Sequence, residues 1–124
     1  MQKNYAFMED EKAVMERLGG NEALLEKLMS KFYATYRNIR VELLSRLESR
    51  DYEEAHRIVH SIKGVSANLG IGKLYRLAIS LESKMKAGEF DRITPDVLAF
   101  LLELDMVIAE MEKDGIGASG TAAS

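Results

Sequence analysis

The stretch Asp51-Tyr-Glu-Glu-Ala55-His56-Arg-Ile58-Val-His60-Ser-Ile62-Lys63-Gly64-Val65-Ser-Ala67-Asn-Leu69-Gly70 decides both fold and function class. Ala55, Ile58, Ile62, Val65 and Leu69 recur at three-and-four spacing, the period of a helix that buries one face. Asp51 reads as its N-cap, and Glu54, three positions on, is placed to complete an aspartate version of the capping box. Gly70-Ile71-Gly72 ends it. Advancing about 100° per residue, His60 falls nearly opposite the apolar face and is predicted to meet water. His56, Gly64 and Ala67 share that exposed sector, with Lys63 toward its edge.

Working outward, the apolar spacing stays helical. A short helix over roughly Glu9–Leu18 stops at Gly19-Gly20, and Asn21 caps the next. Leu24, Leu25, Leu28, Met29, Phe32 and Tyr36, then Ile39, Leu43, Leu44 and Leu47, keep one face apolar to about Glu48, with room for a bend near Asn38. Phe32, Tyr33 and Tyr36 read as core. Downstream, Leu74, Leu77, Ala78, Leu81 and Met85 mark a helix over roughly Lys73–Ala87, closed by Gly88. Thr94-Pro95 starts the last helix, with threonine as side-chain cap and proline at the first helical position. That helix runs to about Lys113. Its apolar arc, including Leu98, Leu101, Leu102, Leu104, Val107 and Ile108, is wide enough to pack on two neighbours or to dimerise.

No stretch alternates with period two over a strand's length. The predicted fold class is therefore all-α, an antiparallel four-helix bundle with an additional short N-terminal helix as a lid. Residues 1–7 read as an N-terminal extension, 8–114 as the domain, and 115–124 as a flexible C-terminal tail with too little apolar surface to bury.

Composition narrows the class of function. A chain of 124 residues fits one domain, and 47% hydrophobic with 30% charged residues suits a packed core under a polar surface. The net charge of −3 comes from interspersed acidic and basic residues, so nothing favours a nucleic-acid partner. The lack of cysteine removes disulfides and thiolate metal sites and suits a reducing cytoplasm. Apolar runs such as Val97–Leu102 are far shorter than the roughly 20 residues of a membrane span. The segment Met1–Tyr5 lacks the apolar heart of a signal peptide. A cytoplasmic monomer with no membrane contact is expected.

Two residues on the exposed sector resist a bland explanation. Glycine inside an exposed helix costs about 1 kcal/mol relative to alanine, yet Gly64 sits one turn after His60 and away from the core. Its use is clearance: bare backbone beside the imidazole lets another protein's surface approach. Lys63, three residues after His60, can bring its ammonium to an anion held on the ring. A neutral imidazole nitrogen is nucleophilic near pH 7. It needs a carboxylate on its second nitrogen to hold the tautomer and stabilise the charge that develops. Glu82 is the best candidate, at the boundary of the apolar face on the next, antiparallel helix.

These residues carry a family resemblance. The pattern histidine, two residues, lysine-glycine, then five residues to a second glycine (His60, Lys63, Gly64, Gly70) resembles the signature of histidine phosphotransfer (HPt) domains of bacterial phosphorelays. Leu74, Leu77, Ala78 and Leu81-Glu82 follow at similar spacing, and Arg17-Leu18-Gly19-Gly20-Asn21 resembles the opening of many such domains. The resemblance implies a bundle whose histidine is phosphorylated at the nitrogen remote from the backbone. Its partners would be receiver domains of a response regulator and of a hybrid sensor kinase, which bring the acceptor aspartate and Mg2+; the chain itself would hold no cofactor. Carried across by motif, His60 is the phosphoacceptor, Lys63 the electrostatic helper, Gly64 the clearance residue and Glu82 the ring-orienting group. A chemotaxis-type kinase substrate domain is a close variant, and the chain has no ATP-binding segment. A non-catalytic adapter that docks receivers is the rival class, and intact His60, Lys63 and Gly64 argue against it.

His56 is claimed by no position of the motif and reads as a neutral surface residue or a partner contact, alongside Gly64 and Ala67. Histidines at i and i+4 can share a metal. Arg57, Ile58 and Val59 lie between them, with no HExxH glutamate and no obvious third ligand, so no metal site is expected. Gly70-Ile71-Gly72 joins two helices without a following lysine-serine/threonine pair and reads as a turn, not a phosphate loop.

Overall fold

The computed structural model describes residues 5–117. Among the described residues the α-helices run in the order α1 (Glu11–Arg17), α2 (Glu22–Tyr36), α3 (Ile39–Glu48), α4 (Tyr52–Asn68), α5 (Gly72–Lys86) and α6 (Thr94–Lys113), with a 3-10 turn at Phe90–Arg92. The apolar stretch from Leu24 to Leu47 is thus two helices, broken at Arg37-Asn38. Together α2 and α3 form one arm of a four-membered antiparallel bundle. The α4 helix packs on α5 and α3, α5 on α6, and α6 closes the ring against α2. The fold is the all-helical bundle expected, and among the described residues no helix is long and apolar enough to cross a membrane.

Helix starts follow side-chain chemistry. Asn21 accepts a hydrogen bond from the Leu24 N–H (2.9 Å) and Asp51 one from the Glu54 N–H (3.4 Å), satisfying donors that have no partner inside the helix. Two expected caps differ. Glu54 does not close a capping box: its carboxylate takes the Arg57 guanidinium, and the Asp51 N–H already bonds the Arg46 carbonyl. Thr94 is itself in the first turn of α6 and makes no side-chain cap, leaving Pro95 as the start signal.

Met29, Leu43, Ile62, Leu74, Phe100 and Leu104 are among the residues at the centre of the core. The arc on α6 divides. Leu101, Leu104, Val107 and Ile108 are buried against its neighbours, whereas Leu98 and Leu102 are 52% and 61% exposed. Both ends of the expected domain reach further than the sequence boundaries. Tyr5 belongs to the core, with Phe7 packed against it, and so does Ile116, in the segment read as tail; residues 118–124 of that segment lie outside the described residues.

The lid lies across the end of the bundle where α4 hands over to α5. The Glu9 N–H donates to the Gly70 carbonyl (2.6 Å), and the Glu9 carboxylate takes both Nη atoms of Arg76 (3.0 and 2.9 Å). Arg17 Nη2 donates to the carbonyls of Ala67 (3.3 Å) and Asn68 (2.8 Å), in the last turn of α4, where carbonyls lack partners further along the helix. Gly70 makes this approach possible. It has φ +67°, and a Cβ there would stand 2.7 Å from the Glu9 carbonyl oxygen and from Val14 Cγ2. The lid thereby fixes the ends of α4 and α5, the two helices that carry the chemistry.

Candidate functional site

His56, His60 and Lys63 lie at i, i+4 and i+7 of α4, one above another along a single line of its surface. The helix opposite that line is α5, and the residue it presents there is Glu82, only 2% exposed. All three side chains converge on this one carboxylate. His60 Nδ1 lies 2.6 Å from Glu82 Oε2, His56 Nε2 lies 2.8 Å from the same oxygen, and Lys63 Nζ bonds Oε1. The His60 side chain is 64% exposed, against 33% for His56 and 25% for Lys63.

A carboxylate with so little solvent needs partners to stay charged. Burial pushes the Glu82 carboxyl up, but hydrogen bonds from Lys63, His60 and His56, with the Lys63 charge, outweigh it and hold the group at about 2. Glu82 is therefore ionised at neutral pH and can only accept hydrogen bonds. That settles the protons on its partners: His60 Nδ1 and His56 Nε2 must each carry one. In the neutral His60 ring, Nε2 then holds the free lone pair, across an exposed ring from its anchor. The arrangement presents an oriented nucleophile with a buried anion behind it, able to stabilise positive charge on the ring.

The surroundings keep that nucleophile accessible. Gly64 is exposed, and a Cβ at its position would meet nothing within 4 Å, so neither packing nor backbone strain explains the glycine. Ala67 is exposed one turn further on. Between α2 and α4 a groove of about 330 Å³ runs beside this face, lined among others by Leu28, Phe32, Ser61 and Val65.

The structure brings together His60, Lys63 and Glu82 as the sequence reading grouped them, with two differences. Glu82 is buried rather than at the boundary of the apolar face, and Lys63, expected to approach an anion on the ring, bonds the Glu82 carboxylate. His56 is no detached surface residue, since it shares an oxygen with His60. A partial signal was present: the 56, 60, 63 line on α4 puts all three side chains on one strip of the helix, where one acidic residue of a neighbouring helix is able to meet them. A model of the Hpt domain family matches residues 24–114, from the first turn of α2 to the end of α6. No curated protein and no solved structure matches the chain.

Proposed function

The chain belongs to the Hpt domain family and has a role in histidine phosphotransfer; from that premise we propose that His60 is the phosphoacceptor, loaded from one receiver-domain aspartate and discharged to another. In loading, His60 Nε2 attacks the phosphorus of an aspartyl phosphate. The N–P bond forms, the P–O bond to the aspartate breaks, and the aspartate leaves as a carboxylate. The ring becomes cationic while Nδ1 keeps its proton on Glu82 Oε2, so the buried carboxylate faces the new charge at 2.6 Å. Discharge is the reverse on a second receiver. Lys63 holds Glu82 in place and lies within one turn of the incoming phosphoryl group. Gly64 and Ala67 leave room for the receiver's surface, and the apolar groove between α2 and α4 gives it a place to rest.

The observation that carries this reading is the His60–Glu82 pair, which leaves Nε2 as the one nucleophilic nitrogen of an exposed ring. Mg2+ belongs to the receiver in this reading. The donors around His60 are mostly nitrogen, and the one carboxylate is tied to Lys63, a poor match for an ion that takes oxygen ligands. Receivers as partners also make the cytoplasm the working compartment and hybrid sensor kinases and response regulators the donors and acceptors. Incubation with an acetyl-phosphate-loaded receiver domain, read by intact mass and acid lability, tests the assignment. Label is expected on the wild type and on His56→Gln and absent from a folded His60→Gln. Label persisting in His60→Gln rules the assignment out.

A further inference from the structure

The sequence around His56 and His60 offers no obvious third metal donor. The fold supplies it. His56, His60 and Glu82 offer ligand atoms that all lie within 4.8 Å of one another. From this convergence we propose that the chain binds a borderline transition-metal cation, with Zn2+ as the reference ion, through His56 Nε2, His60 Nδ1 and Glu82 Oε2. The bound ion switches the His60 nucleophile off.

Each edge of the donor triangle changes by about 1.5 Å or less. With bonds of about 2.0–2.2 Å, tetrahedral zinc separates its ligand atoms by about 3.4 Å. The two nitrogens now stand 2.8 and 2.6 Å from Oε2, so each contact opens by less than about 1 Å, within reach of side-chain rotation. The two histidines are held one helical turn apart on α4, and the carboxylate comes from the core side of α5. Lys63 bonds Oε1 and leaves Oε2 to ligate, the kind of outer hydrogen bond that fixes a ligating carboxylate. The exposed side of His60 leaves the fourth position open to water.

Two imidazoles and a carboxylate suit zinc and its neighbours better than Mg2+ or Ca2+, which take oxygen donors. The Lys63 ammonium repels the ion and keeps the site weaker than a structural zinc centre. Reversible occupancy is what a switch needs.

Proton accounting gives the consequence. A neutral imidazole carries one proton. Without metal it sits on His60 Nδ1, bonded to Glu82, and Nε2 has the lone pair. Metal on Nδ1 takes the lone pair of that nitrogen, so the proton moves to Nε2 and caps the attacking atom. His56 likewise keeps its proton, moved to Nδ1, and none is released. The blocking half of this inference rests on His60 being the phosphoacceptor; the binding half does not.

The first arm of the test is calorimetric titration of the full chain with Zn2+ alone, then with Mg2+. One zinc per chain and no Mg2+ heat are expected. His56→Ala, checked for fold by circular dichroism, should bind zinc at least about tenfold more weakly, because even losing a ligand's outer partner costs about 10–100-fold. Zinc binding as tight in His56→Ala as in the wild type overturns the site. The second arm measures transfer from a loaded receiver, each protein compared with its own zinc-free rate. Zinc at about ten times its wild-type Kd should slow the wild type about tenfold and His56→Ala, which binds at least about tenfold more weakly, no more than about twofold. Unslowed transfer in zinc-saturated wild type overturns the blocking half and leaves the His60 assignment standing. No transfer without zinc overturns that assignment and the blocking with it, while the calorimetry still decides the binding.

Discussion

Glu82→Gln isolates the charge at the centre of the site. Glutamine keeps the volume and one acceptor oxygen, but its NH2 group now faces side chains that are themselves donors. A carboxyl held at about 2 instead of 4.5 prefers its ionised form by roughly 3 kcal/mol. That is a ceiling, because water screens the exposed His60 side of the cluster. The sign follows from the depressed value: this stability is fully present above about 4.5 and is lost as pH falls toward 2. The wild type should therefore exceed Glu82→Gln by up to about 3 kcal/mol at pH 7 and by about 1 kcal/mol at pH 3. The margin should be less than 1 kcal/mol at pH 2, where the protonated acid resembles the amide. Urea unfolding followed by helical ellipticity at each pH measures the difference, and other carboxylates cancel in it. The same variant should slow phosphotransfer, since the anion matters most as charge grows on the ring. A stability difference that is flat with pH, or absent at pH 7, would refute the account of Glu82 as an ionised anchor.

Two glycines of one motif should respond in opposite directions. Gly64→Ala should leave stability equal or raise it by up to about 1 kcal/mol, because its Cβ meets open space, while Gly64→Leu slows transfer from a receiver; normal transfer in the leucine variant denies any steric role. Gly70→Ala should cost about 2 kcal/mol or more by thermal or urea unfolding, since it combines positive φ with a clash against the Glu9 carbonyl. Arg17→Ala removes both hydrogen bonds to the α4 C-terminus and should cost about 1 kcal/mol, or about 4 °C in Tm; an unchanged Tm would mean that the lid does not secure that end.

Much of this molecule was legible in the chain itself. Helical periodicity, the glycine breaks and Pro95 determine the element order, because amphipathic spacing and turn chemistry are local properties. His60 on the water side of α4, Gly64 beside it and Lys63 one turn on follow from the same arithmetic. What crosses between helices does not. The near-complete burial of Glu82 depends on how α4 and α5 meet, and so does the sharing of one oxygen by His56 and His60. Spacing on α5 could place Glu82 at a boundary but not fix its depth. The capping box at Asp51 failed for a related reason: Glu54 had a nearer cation in Arg57, and the Asp51 N–H was already bonded. The ends of the packed chain were tertiary decisions too. Tyr5 and Ile116 lie outside the helical periodicity, and only the assembled bundle offers them apolar surface to bury against. Local spacing thus determined which residues face water, while interhelical packing decided which of them share a proton acceptor.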